Sequence, residues 1–231
     1  MNIIASEEVL MDILELMRSR HSVRRYTDEP LPEDKALALS ACIAGLNEES
    51  KLSMQLILNE PAAFGSVISK ISSFANVTDY IAIVGKDSPD LEEKAGYYGE
   101  KAVLEATKLG LGTCWVAASF NRAKCTAVVG EGERLVIVIA VGIAAEEGRP
   151  HRSKTIDELC TVEGPMPDWF VRGLEAASLA PTAMNRQAFR IVLDGASVSV
   201  RTSPGPYSKI DSGIVRCHFE LAAGTENYIR R

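Results

Sequence analysis

The sequence predicts an α+β fold, and three observations carry that prediction. Apolar runs at 52–58 (LSMQLIL), 78–85 (TDYIAIVG) and 134–142 (RLVIVIAVG) read as buried strands. Helical stretches separate them without the regular strand–helix–strand alternation of a doubly wound sheet. A second, shorter series of helix, strand, strand and helix follows the loop at Gly164–Pro167. With 46% hydrophobic and 24% charged residues, a chain of 231 residues has a globular composition and can bury a sizeable core.

The first helix follows Ser6 as N-cap, carries Glu7 and Glu8 in its first turn, sets Leu10, Ile13, Leu14 and Met17 on one face, and ends near Arg20. A loop, RHSVRRYTDEPLP, leads to a second helix with Pro32 in its first turn, which Gly45 is expected to stop. Further helices are expected at 63–75 and 90–109, the latter running into LGLGTCW. In the second series a helix starts at Asp168, strands lie near AFRIVLDG and ASVSVRTS, and a helix follows Asp211. GYYGEKAVLEATKLGL (96–111) can be laid against YSKIDSGIVRCHFELA (207–222), and LALSACIAGLNEES against LEAASLAPTAMNRQ. These pairings suggest an internal duplication, with halves at 1–160 and 161–231 forming one compact unit. Shared apolar spacing between amphipathic helices is the competing explanation.

A net charge of −6 offers no footprint for nucleic acid. The N-terminus lacks a basic n-region, and no apolar run reaches the ~18 residues of a membrane span, so a soluble, cytoplasmic protein without membrane partners is expected. Cys42, Cys114, Cys125, Cys160 and Cys217 are odd in number and show no C-x-x-C pair, which suggests free thiols packed as small core residues. His21, His151 and His218 lie far apart, without zinc-site spacing, so no metal is expected.

Three polar stretches could carry chemistry. Arg20-His21-Ser22-Val23-Arg24-Arg25-Tyr26 gathers guanidinium forks and a hydroxyl suited to a phosphate monoester. A solvated basic turn paired with Glu29, Glu33 and Asp34 is the alternative. Pro181, Thr182, Ala183, Asn185 and Gln187 lie in a segment between helix and strand, offering the amide donors and acceptors that the pyrimidine edge of a flavin requires. Loop punctuation would account for the same residues. In Leu109-Gly110-Leu111-Gly112-Thr113-Cys114-Trp115-Val116, two glycines would let backbone approach a ligand, or simply end a helix before a core strand. The helix precedes these glycines, which excludes a Rossmann fingerprint.

Together these stretches resemble the nitroreductase family, and within it the single-chain branch in which two half-length units are fused to mimic the family homodimer. RHSVRRY is similar to R-R-S-x-R-x-[FY], with Arg20, Ser22 and Arg24 on its positions and His21 in place of the second Arg. APTAMNRQAFR is similar to A-P-S-A-x-N-x-Q-P-W-R, with Thr182 for Ser, and Ala188-Phe189 for Pro-Trp. GYYGEKAVLEATKLGLGTCWV, D-x-G-I-x-x-C-H-F-E-L and the basic RPHRSKTIDEL also resemble this branch. AASF stands after GTCWV where glycine is frequent.

The resemblance implies a flavin mononucleotide (FMN) enzyme that passes reducing equivalents from NAD(P)H to a small nitroaromatic or quinone-like acceptor in ping-pong fashion. Chemistry would reside at flavin N5, with no catalytic side chain. Arg20, Ser22 and Arg24, with Arg152 or Lys154, would hold the phosphate, and His21 is a further cofactor-binding candidate. Asn185, with Thr182 and Gln187 and the flanking Pro181 and Ala183, would hydrogen-bond the ring or position the loop; backbone around Trp115, Val116 and Ala117 would approach N5, with Gly112 and Thr113 as further cofactor-binding candidates. IAGLNEES in the first half and EGPMPDWF in the second lack the complementary motifs, so one chain is expected to form one complete site, with self-association left open. The rival reading is a flavin-binding storage or sensing protein without physiological turnover.

Overall fold

The structure, a computed structural model, describes residues 13–65 and 74–231. Its contacts group into two units, one of residues 20–150 and one in which residues 13–19 join 151–231. The division therefore falls before His151, ahead of the expected boundary at 160. The reason is that the short helix and strand at 156–162 pair with the later strands. Residues 13–19 are helical (α1), while the expected N-cap Ser6 and the face residue Leu10 lie outside the described residues. So does most of the helix expected at 63–75; its first residues belong to a single turn of 3-10 helix at Pro61–Phe64.

In the unit of 20–150, strands β1 (Gln55–Ile57), β2 (Asp79–Lys86), β3 (Gly112–Val116) and β4 (Glu133–Gly142) form an antiparallel sheet of order β1-β2-β4-β3. Every residue of β2 from Asp79 to Gly85 is buried, so both faces of the sheet's centre are covered. One face packs Tyr80, Ala82, Val138 and Ala140 with Phe64, Phe120, Val23 and Tyr26. Helix α3 (Leu91–Lys108) packs on the sheet, and Gly99 allows the approach: a Cβ there would stand 2.5 Å from the Trp115 ring and 2.6 Å from Ile83.

Helix α2 (Glu33–Ser50) does not stop at Gly45. Glycine costs a helix interior about 1 kcal/mol, which the buried Leu39, Ile43 and Leu46 outweigh. The stop comes at Lys51, left-handed at φ 62°, whose amide donates to the Asn47 carbonyl. Helix α3 does end at a glycine: Gly110 (φ 71°) donates to Thr107 O and Leu111 to Ala106 O, both at 2.9 Å, the two bonds of a Schellman motif.

The unit of 151–231 holds α4 (Ile156–Leu159), α5 (Asp168–Ser178), α6 (Ser208–Ala223) and a mixed sheet of order β5-β6-β7-β8. Its hairpin, β6 (Phe189–Asp194) and β7 (Ser197–Thr202), turns through Gly195 at φ 59° and falls where expected. The parallel edge strands β5 (Cys160–Val162) and β8 (Ile229–Arg230) are too short to leave a periodic signal. Helices α5 and α6 meet closely because Gly173 makes room for Phe219, and the His218 ring bonds the Ala176 carbonyl at 3.0 Å. Helix α6 starts at Ser208, earlier than its expected start after Asp211, which instead lies in its first turn.

None of the five cysteines forms a disulfide. No described helix is long and apolar enough to cross a membrane. Among the described residues, no three His, Cys, Asp or Glu side chains gather to hold a metal ion.

Candidate functional site

In the unit of 20–150, the RHSVRRY segment is laid along the free edge of β3. The Val23 amide donates to Thr113 O at 2.9 Å, and Ser22 sits opposite Thr113 as a parallel bridge. Close docking is possible because a Cβ on Gly112 would stand 3.0 Å from the Val23 side chain, and one on Gly142 would stand 2.9 Å from Tyr26. The Tyr26 hydroxyl donates back to Val23 O at 2.8 Å, and Ala75 donates to Arg24 O at 3.0 Å, pinning the segment from both sides.

The functional groups of Arg20, Ser22 and Arg24 converge on one place, marked by the Cys114 thiol. Burial pushes that thiol up, while Arg24, then Arg20 and the Ser22 hydroxyl, pull it back. Ser22 and Arg24 are exposed; Arg20 is only 4% exposed, and its Nε has no hydrogen-bond partner. The nearest carboxylate to that nitrogen is the fully buried Glu100, at 4.0 Å. Glu100 also accepts from the Trp115 indole at 2.8 Å. A buried guanidinium with an unsatisfied N–H beside an exposed hydroxyl and a second guanidinium is a donor set suited to a phosphate. Arg25 is turned away and pairs with Glu146 at 3.1 Å.

The glycines follow the structural one of their two readings, and the backbone groups divide by edge. Gly112 approaches Val23 and Gly110 ends a helix, so each has a structural use. Backbone groups alternate along an antiparallel strand, so Trp115 faces the same edge as Thr113. Val116 is turned into the ladder opposite Val138, and its amide is not available to a ligand. Ala117 follows the strand and is half-buried. His21 packs against Gly148, where a Cβ would stand 2.4 Å from that of His21.

In the unit of 151–231, the loop after α5 has Met184, Asn185 and Gln187 at φ 55°, 51° and 46°. Gln187 is buried, and its amide group is already used. Nε2 donates to Arg152 O at 2.7 Å and to Asn185 Oδ1 at 3.1 Å, while Oε1 accepts from the Lys154 amide at 2.8 Å. Gln187 therefore ties the loop to 152–154, which is the loop-positioning alternative of its expected role. Thr182 Oγ1 accepts from the Gln187 amide at 3.0 Å, and Asn185 Nδ2 donates to Arg152 O at 3.0 Å. Lys154 Nζ donates to Gln187 O at 3.0 Å, so its ammonium braces the loop; the Arg152 side chain is exposed. Pro181 and Ala183 are half-buried, and the Ala183 amide donates to Asp211.

The family model described as Putative TM nitroreductase matches residues 12–223. The chain belongs to that family. A Thermotoga maritima structure described as a putative nitroreductase superposes with TM-score 0.61 at 22% identity, covering 91% of this chain and 82% of that one. A Desulfovibrio desulfuricans putative nitroreductase in complex with FMN gives 0.52 at 21%, covering 67% and 98%. A Parabacteroides distasonis protein described as a putative NADH dehydrogenase/NAD(P)H nitroreductase gives 0.51 at 19%, covering 64% and 96%. At these identities the likeness shows the nitroreductase fold. No curated protein matches the chain.

One residue of this nitroreductase-family chain escaped the sequence reading. Glu100 lies on the buried face of α3 among Gly96, Gly99 and Val103, and a carboxylate within such an apolar stripe is the signal that could have found it. Asp211 is visible in the sequence as the aspartate of D-x-G-I-x-x-C-H-F-E-L, but with no role attached to it. Burial raises its carboxyl to about 6, against the pull of the Ala183 amide.

Proposed function

We propose that this chain binds FMN and acts as a nitroreductase-type oxidoreductase, passing reducing equivalents from NAD(P)H to a small acceptor. The observation that carries the cofactor is Arg20, a buried guanidinium whose Nε lacks a hydrogen-bond partner, beside Ser22 and Arg24. The Desulfovibrio relative's complex with FMN supports the choice of ligand. In the unit of 20–150, Arg20, Ser22 and Arg24 would hold the phosphate and backbone at Trp115 and Ala117 would serve the ring; in the unit of 151–231, Thr182 and Asn185 would serve the ring and Arg152 the phosphate. The flavin supplies the redox chemistry. The protein's part is to anchor and orient it, and no protein nucleophile is required.

We further propose one flavin per chain. IAGLNEES is continuous helix in α2, where a second ring-binding loop would be needed, and EGPMPDWF carries no guanidinium. Under this reading, GYYGEKAVLEATKLGL and YSKIDSGIVRCHFELA are counterparts in fused halves. Reconstitution with FMN, followed by NADH and NADPH oxidation with a quinone or nitroaromatic acceptor, tests the function. A yellow protein that binds one equivalent and shows acceptor-dependent turnover is expected. Protein that stays colourless refutes FMN binding, and a yellow protein without turnover indicates storage or sensing.

A further inference from the structure

The loop at 182–187 has an unusual course that its own side chains do not explain. Met184 is 85% exposed yet left-handed, a conformation disfavoured for a residue with a Cβ, so contacts of its own side chain cannot hold it there. The turn begins at Ala183: Asn185 N donates to Thr182 O at 2.8 Å and Arg186 N to Ala183 O at 3.2 Å. The Ala183 peptide is in turn fixed by Asp211, whose Oδ1 and Oδ2 lie 3.0 and 3.2 Å from its amide. Among the described residues no cation pairs with Asp211, and burial of its carboxylate is opposed only by that amide. Charge pairing therefore does not account for an acid at this position, whereas fixing the loop does.

We propose that Asp211 is a positioning residue for the flavin ring, acting through the Ala183 amide to set the course of the loop, left-handed at Met184, Asn185 and Gln187, and so to present Thr182 and Asn185. The inference rests on the proposed flavin-binding function. Asp211 touches neither ring nor phosphate in this scheme; it orders the loop that does.

Limited trypsin digestion, followed by mass spectrometry of the cut after the exposed Arg186, reads the loop without any cofactor. Titration with riboflavin and FMN reads its consequence. Removing one charge-assisted hydrogen bond corresponds to roughly a tenfold effect or more. D211A should be cut at Arg186 about that much faster and lose riboflavin and FMN affinity by a similar factor, since the ring is common to both. D211N keeps an acceptor for the amide and should stay near wild type in both assays. Wild-type cutting or riboflavin affinity in D211A overturns the proposal, as does a D211N that behaves like D211A. If D211A does not fold, hydrogen exchange at the wild-type Ala183 amide decides: protection is expected, and free exchange overturns the tether. A wild type that binds neither ligand refutes the flavin reading, while digestion still decides whether Asp211 sets the loop.

Discussion

Replacing Arg24 by alanine isolates the proposed phosphate contact, because this side chain can be removed with little cost to the fold. Arg24 is exposed, and its guanidinium lies 6.0 Å from the Phe74 ring centroid, a contact worth about 0.5–1 kcal/mol at an exposed site. Its other neighbour is the Cys114 thiol, which stays buried without it. A charge-assisted hydrogen bond to a phosphate contributes about 1.5–3 kcal/mol, roughly a ten- to hundredfold change in affinity. Riboflavin lacks the phosphate and serves as the internal control. Isothermal titration of both ligands into wild type and R24A should show FMN affinity falling by that factor with riboflavin affinity unchanged. Equal losses would assign Arg24 to the ring or to loop integrity. No loss for either would remove it from the site.

Arg20 should behave differently because it is buried: R20A removes the guanidinium that faces the fully buried Glu100 and should cost about 3 kcal/mol of stability by denaturant unfolding. Adding E100Q should recover part of that loss, and additive losses would show that the two side chains are not coupled. G99A drives a Cβ to within 2.5 Å of the Trp115 ring and should destabilise by about 1–3 kcal/mol, with a change in tryptophan fluorescence. Unchanged stability and emission would mean that the ring has room to move.

Asp211 supplies a pH test. Its folded-state value of about 6 lies above the ordinary carboxylate range, so the folded chain binds this proton more tightly than the unfolded one. The resulting stabilisation is complete below about pH 4 and is lost as pH rises through about 6. The Tm of wild type relative to D211N should therefore fall between pH 4 and 7 in calorimetry. A constant difference would refute the raised value.

Much of the fold can be read from local pattern. The runs at 78–85 and 134–142 are strands because long β-branched stretches suit a sheet buried on both faces, and 90–109 is a helix because its apolar spacing and Gly110 agree about where it ends. Gly45 misled because glycine is a stop signal only where the apolar stripe also ends, and Leu46 continues it. The pairing of β5 and β8 escaped because strands of three and two residues have no period to detect.

The same division applies to the candidate site. The sequence by itself determined its chemistry: guanidinium and hydroxyl at Arg20, Ser22 and Arg24, and amides at Asn185 and Gln187, are residue types visible in one dimension. Tertiary structure alone decided which of those groups are free to act. Gln187 is consumed by Arg152 and Lys154, Val116 is turned into β4, and Gly112 is filled by Val23, whereas Arg20 keeps an unsatisfied N–H over the distant Glu100. Donor and acceptor inventories are properties of residues. Their availability depends on what long-range packing brings within about 3 Å of each atom, and no local spacing encodes that.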